Sequence, residues 1–243
     1  MAQRVALVTG STSGIGEAVA RRLASVGTKV VINSTKSVDA GNALVAELGA
    51  DNAHYVQGDI SVAADATRMV AAAVDRFGRL DVLVNNAGTT VRIPHDDFAA
   101  ASPEVFRRLY DVNVIGTWQV TVAAMPHLVD SGAGCIVNVT SLAGVRPTGS
   151  SIPYAVSKAA MNHLTLLLAN VCGPGVRVNA VAPGLVDTPW TADWNDLHEA
   201  IKFLAPMGRA AVPADVADVV QTLVDSTYVT GQVWVVDGGL SLR

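Results

Sequence analysis

Tyr154 and Lys158 are the residues of this 243-residue chain whose types and spacing point most directly to proton chemistry. They stand four apart in 152–171, a segment of helical period, so their side chains rise from one helix face about a turn apart. A free phenol, with a pKa of about 10, exchanges protons poorly at neutral pH, and a neighbouring ammonium favours its phenolate. Such a tyrosine can give a proton to a carbonyl oxygen or take one from an alcohol. Ser141 follows an apolar strand and lies thirteen residues before Tyr154, a separation that brings both hydroxyls to one pocket rim. A second cluster lies near the amino terminus, where an apolar strand runs into Thr9-Gly10-Ser11-Thr12-Ser13-Gly14-Ile15-Gly16 and a helix opens. Glycines let a backbone turn sharply and approach a pyrophosphate, while the free N–H groups and dipole of a helix start favour negative charge.

Other chemistries fit less well. The turn reads GxxxGxG rather than GxGxxG, lacks the Lys-Ser/Thr of a triphosphate loop, and puts Thr12 where a nucleophile elbow needs serine. Of the five histidines none sits in a nucleophile motif, and His198-Glu199 lacks the second histidine of a zinc helix; only His95 and His198 fall where a substrate would pass. Cys135 and Cys172 have neither metal-ligand spacing nor the density of a disulfide scaffold, so no metal site is expected and a cytoplasmic location is. Seventeen basic against 21 acidic residues, with no basic block, make nucleic acid an unexpected partner. The longest uncharged run, 159–176, is broken by Asn162, His163, Thr165, Asn170, Gly173 and Pro174, so no membrane span is expected. No signal-peptide core is visible at the amino terminus, and export is not expected.

The elements that must position these residues follow from periodicity. Short β-branched runs at 4–8, 29–33, 54–57, 81–84, 135–139, 176–181 and 233–236 read as strands. Between them, 15–26, 38–48, 63–77, 103–124, 152–171 and 213–225 read as helices. This alternation predicts one α/β domain over 1–243, a Rossmann-type doubly wound sheet of seven parallel strands with helices on both faces. Half the residues are hydrophobic but only 5% aromatic, the aliphatic filling of strands buried on both sides. The least patterned stretch, 187–208, follows the sixth strand, where a doubly wound sheet binds ligands, and is expected to form a substrate lid.

The TGSTSGIG turn, Asn85-Asn86-Ala87-Gly88, Asn113, Ser141, Tyr154 with Lys158, and Pro183-Gly184 occur in that order across nearly the whole chain. In this ordered set the chain resembles the short-chain dehydrogenases/reductases. The resemblance implies hydride transfer between a nicotinamide cofactor and a ketone or secondary alcohol. By it, Tyr154 is the general acid or base, Ser141 bonds the substrate oxygen, Lys158 lowers the tyrosine pKa and binds ribose, and Asn113 holds a water of a proton relay. By it also, Gly10, Ser11, Ser13, Gly14, Ile15 and Gly16 form the cofactor turn, and Asp59 and Ile60 meet the adenine. Asn86, Ala87 and Gly88 would line the ribose, and Pro183, Gly184, Val186 and Thr188 would hold the nicotinamide.

Ser34 closes the second strand, where an acid would select NAD by binding the ribose 2′-hydroxyl. Neutral donors at Ser34 and Thr35 beside Lys36 suit a 2′-phosphate, so NADP is expected, although the arginine common in the family is absent here and at Ser13; NAD stays open. The resemblance extends to 3-oxoacyl-thioester reductases and to sugar, steroid and polyol dehydrogenases without choosing among them. Trp190, Trp194, Leu197, Ile201 and Phe203 in the lid favour an apolar or ring-bearing small-molecule substrate, while Arg92, Arg146 and Arg209 are the few basic residues for a carrier protein. The alternative from another class is a nucleotide-binding regulatory or scaffold protein of the same fold without turnover. The resemblance also implies a homotetramer, or a homodimer, paired through the helices at 103–124 and 152–171.

Overall fold

The β-branched runs form seven short strands, of which the first, fourth and fifth are buried throughout. In the computed structural model, which describes residues 3–243, they are β1 (Val5–Val8), β2 (Lys29–Ser34), β3 (Ala53–Gln57), β4 (Val82–Asn85), β5 (Gly134–Val139), β6 (Val176–Pro183) and β7 (Val233–Val236). The helices are α1 (Gly14–Ser25), α2 (Val38–Leu48), α3 (Ala63–Phe77), α4 (Pro103–Tyr110), α5 (Thr117–Asp130), α6 (Ile152–Cys172), α7 (Asn195–Leu204) and α8 (Pro213–Asp225). The strands make one sheet of order β3-β2-β1-β4-β5-β6-β7, and every neighbouring pair is parallel.

Successive side chains of a strand point to opposite faces, and β1 shows the result. Ala6 and Val8 pack with α1, α2 and α8, while Val5 and Leu7 pack with α3, α5 and α6. The chain leaves β1 toward β2 on one side and resumes at β4 on the other. That reversal opens a crevice beyond the carboxyl ends of the strands.

The helix expected at 103–124 extends to Asp130 and is not regular. Between α4 and α5 the turn Asp111–Gly116 is wound as a π-helix. Gly116 there lies so close to the loop after β3 that a Cβ would come 2.8 Å from Ile60 Cγ1. Pro126 sits inside α5. Its missing N–H deprives only the carbonyl of Val122, a half-exposed residue with solvent at hand. Helix α7 was not expected either. Its apolar stripe, Leu197, Ala200, Ile201 and Leu204, faces the cavity, and the exposed Phe203 lies off it. No helix among the described residues is long and apolar enough to cross a membrane.

Candidate active site

A cavity of about 980 Å³ fills the crevice, lined by the β1–α1 turn, the end of β2, the loops after β3, β4, β5 and β6, and the lid. The turn is built by glycines with little freedom to be anything else. Gly10 has φ +61°, and a Cβ on it would lie 2.9 Å from Ala87 Cα. Ser13, the residue before α1, gives the helix no side-chain cap, so the first N–H groups of α1 stay open to an anion. Thr9 Oγ1 accepts from the N–H groups of Asn86 and Ala87, both at 3.0 Å. Asn86 Nδ2 donates to Thr9 O at 3.0 Å and Gly10 O at 2.9 Å. The end of β4 is thereby fastened to the turn. Gly10, Ser13, Gly14 and Ile15 line the cavity, but Ser11 and Gly16 stand behind it. The buried Ser11 hydroxyl donates to Val8 O at 2.7 Å and accepts from Asn33 N at 3.0 Å. A Cβ on Gly16 would meet Asn86 Nδ2 and Gly10 O at 2.4 Å, so this glycine admits α1 to the turn.

Beyond the turn the cavity reaches Ser34, Thr35 and Lys36 on one side and Asp59 and Ile60 on the other. Asp59 Oδ1 accepts from Ser61 N at 2.9 Å and Ser61 Oγ at 2.7 Å, shaping the entry to α3. On the opposite side Asn86, Ala87, Gly88, Pro183, Gly184, Val186 and Thr188 all line the wall.

The proton-bearing groups come from β5 and α6. Ser141 opens a 3-10 turn, Leu142–Gly144, and its Oγ accepts from Ala143 N at 3.1 Å. That use of a lone pair leaves the hydroxyl hydrogen free for another acceptor. Ser151 caps α6 by accepting from Tyr154 N at 3.3 Å, which sets Tyr154 in the first turn. Lys158 follows one turn on, 3% exposed, its Nζ donating to Val139 O at 3.1 Å and lying 5.7 Å from the centre of the Tyr154 ring. Burial pushes the Tyr154 phenol up to about 12, with the Ser141 hydroxyl pulling the other way. Burial pulls Lys158 down to about 8. The lowering of Tyr154 expected from its lysine neighbour is not found; desolvation dominates, and at neutral pH the site holds a protonated phenol beside an ammonium.

Asn113 is fully buried in the π-turn and does not reach the cavity wall. Its Oδ1 accepts from Thr89 N at 2.8 Å, and its Nδ2 donates to Thr89 O and Ser157 Oγ, each at 3.0 Å. Ser157 Oγ in turn donates to Tyr154 O at 2.7 Å. The Asn113 side chain thus clamps the loop after β4 to the helix that carries Tyr154. Gly88 sits beside it, where a Cβ would lie 3.2 Å from Asn113 Oδ1 and 3.6 Å from Lys158 Nζ.

The lid contributes Trp190, Trp194, Leu197, Ile201 and Leu204 to the cavity. Arg92, from the loop after β4, bonds Asp196 of α7 at 2.5 Å and lies 5.7 Å over the Trp194 ring. His95 and His198 are absent from the wall; their Nε2 atoms engage Gly149 O at 3.1 Å and Thr191 O at 3.0 Å. Of the three arginines considered for a carrier protein only Arg146 lines the cavity, and sequence reasoning missed the carboxyl-terminal Leu240, Ser241 and Arg243, which also line it. They lie on short turns that carry no periodic signal.

A doubly wound sheet with an anion-ready turn after β1 and a serine–tyrosine–lysine set after β5 defines a dinucleotide-dependent oxidoreductase. Residues 10–241 match the family model described as enoyl-(acyl carrier protein) reductase. A Streptomyces violaceoruber protein, whose name assigns it provisionally as ketoacyl reductase 2 of the granaticin polyketide synthase, is 57% identical over 241 residues, covering 98% of this chain and 96% of its own. Among solved structures, a Burkholderia xenovorans protein titled a short-chain dehydrogenase/reductase matches with a TM-score of 0.93 and 38% identity over 100% of both chains. A Brucella melitensis 3-ketoacyl-(acyl-carrier-protein) reductase complexed with NADH matches with a TM-score of 0.91 and 35% identity, covering 98% of each chain. The chain belongs to the short-chain dehydrogenase/reductase family.

Proposed function

We propose that the protein moves a hydride between NADP(H) and a ketone or secondary alcohol, with Tyr154 as the proton donor and acceptor. The carrying observation is that Ser141, Tyr154 and Lys158 line one cavity with the uncapped start of α1. The residues fit a dinucleotide: Gly10 and Gly14 leave the turn without side chains, and the free amides of α1 suit a pyrophosphate. NADPH, when bound, supplies the hydride, and NADP⁺ accepts it in the reverse direction. Tyr154 gives its proton to the carbonyl oxygen as that oxygen gains negative charge. Ser141, its lone pair already taken by Ala143 N–H, donates to the same oxygen. The Lys158 ammonium stabilises the phenolate that Tyr154 becomes, and alcohol oxidation runs the same proton transfers backwards.

The Brucella relative carries NADH, so the preference for NADP rests on this chain's own Ser34, Thr35 and Lys36 and on the lack of a carboxylate at the end of β2. The name of the Streptomyces relative makes a ketoacyl group the first substrate class to test. The Trp190 and Trp194 wall supports an apolar one. Exposed Trp118, Val122, Leu167 and Val171 on α5 and α6 support a homotetramer or homodimer paired through those helices. Two unpaired cysteines agree with a cytoplasmic location.

The test is NADPH absorbance over a panel of ketoacyl thioesters and aryl ketones, run in parallel with NADH. Tyr154→Phe should lower kcat by roughly 10²–10⁴-fold while NADPH still binds. Near wild-type turnover in that variant would sink the mechanism, and NADPH binding without turnover by the unaltered protein would favour the scaffold reading.

A further inference from the structure

Tyr55 has no part in the mechanism above and does not line the cavity, yet it touches the residue on which cofactor choice turns. Its hydroxyl lies 2.9 Å from Ser34 Oγ. Tyr55 comes from β3, the edge strand, and reaches across to the end of β2. Its ring is held in place by α2. Gly41 is buried inside that helix, and a Cβ there would fall 2.2 Å from Tyr55 Cδ2. A glycine in a helix interior costs about 1 kcal/mol relative to alanine, and here it makes the notch that seats the phenol ring. Two residues along the same face of β3, Gln57 Nε2 donates to Thr35 O at 2.9 Å. Strand β3 thus supplies a second layer behind Ser34 and Thr35.

The direction of the Tyr55–Ser34 hydrogen bond decides what Ser34 offers the cavity. If Ser34 donated to Tyr55, its oxygen would present only lone pairs, the partner a ribose 2′-hydroxyl wants. If Tyr55 donates, the Ser34 hydrogen is released toward the cavity, the partner a phosphate wants. A phenol is the better donor and an aliphatic hydroxyl the better acceptor. The only other acceptor within reach of the Tyr55 hydroxyl among the described residues, Ser34 O, is farther away at 3.5 Å.

We propose that Tyr55 is a positioning residue for cofactor specificity: by donating to Ser34 Oγ from its seat on Gly41, it turns the Ser34 hydroxyl into a donor for a ribose 2′-phosphate. This rests on the NADP reading above and adds a residue to it. The probes are 2′,5′-ADP, which carries the 2′-phosphate, and 5′-AMP, which lacks it, titrated calorimetrically against the whole protein. Wild type should bind 2′,5′-ADP at least about tenfold more tightly than 5′-AMP, a charge-assisted bond's worth. Tyr55→Phe keeps the ring in its notch, so the melting temperature should hold. It should weaken 2′,5′-ADP about fivefold and move 5′-AMP less than about twofold. Ser34→Ala should weaken 2′,5′-ADP at least as much, and adding Y55F to it should cost nothing further, because Tyr55 acts only through Ser34.

If wild type binds the two probes equally, the NADP reading falls and the role of Tyr55 falls with it. Should wild type prefer 2′,5′-ADP while Y55F leaves the ratio unchanged, or weakens 2′,5′-ADP equally in the S34A background, the Tyr55 proposal alone is overturned. A Y55F protein that melts early and loses both probes together also overturns it, since that is a purely structural role.

Discussion

Raising the pH is the most direct perturbation of the site, because one buried ammonium sets its upper limit. Burial pulls Lys158 down to about 8, so about nine-tenths of it is charged at pH 7 and about one-tenth at pH 9. Tyr154, pushed up to about 12, keeps its proton throughout that interval and cannot produce a bend there. If the ammonium is needed, kcat/KM for NADPH in carbonyl reduction should fall about tenfold from pH 7 to pH 9, bending near 8. That parameter, measured at saturating carbonyl, reports ionisations of the free protein. Lys158→Arg supplies a cation that does not titrate in this range. Its rate should be lower, because a guanidinium cannot reproduce the Nζ bond to Val139 O, but its profile should run flat through pH 9. A bend near 8 that persists in K158R, or a wild-type profile flat to pH 9.5, would refute the assignment. Stability should move the opposite way over the same window. Between about 8 and 10.5 the unfolded chain keeps a proton that folded Lys158 has released, so stability rises with pH. Above about pH 10.5 the trend reverses, since unfolded tyrosine is ionised while folded Tyr154 holds its proton to about 12.

Asn113→Ala removes all three clamp bonds and strands the Thr89 amide and carbonyl, costing about 2–4 kcal/mol. Calorimetry should show the melting midpoint about 4–16 °C lower, and an unchanged midpoint would dismiss the clamp. Gly10→Ala forces a left-handed alanine against Ala87, so NADPH binding followed by fluorescence should weaken at least about tenfold. Sedimentation at micromolar concentration should give a tetramer or dimer, and Trp118→Asp with Leu167→Asp should shift it to a smaller species; a wild-type monomer would remove the association proposal.

Strand positions and the Tyr154–Lys158 face were legible in the sequence because both are local. A β-branched run bounded by turn residues needs no partner to be recognised, and two side chains four apart on a helix share a face whatever surrounds them. What could not be read depended on segments meeting in space. Asn113 finds Thr89 and Ser157 only after the chain has wound a sheet between them. The resemblance places Ser11 in the cofactor turn, and its inward rotation follows from Asn33 on a neighbouring strand. The direction of the Tyr154 shift was unreadable for the same reason. Charge proximity can be inferred from spacing, whereas desolvation is a property of the closed site and here is the larger effect.

The glycine turn after β1 and Tyr154 lie on opposite sides of the point where strand order reverses, so their separation must be fixed by something other than the sheet. Hydrogen bonds fix it. Asn86 ties the end of β4 to Gly10 O, Thr89 three residues on is held from both sides by Asn113, and Asn113 passes through Ser157 to the carbonyl of Tyr154. Every junction but Asn113–Ser157 has a backbone partner, so side-chain rotation at one residue cannot loosen the whole. The regular α-helical ladder would have carried Asn113 elsewhere on its helix, and the π-turn at Asp111–Gly116 rotates it into this chain. The irregular turn is therefore part of how the site is aligned. A substitution that restored regular winding there would be expected to cost turnover before it cost folding.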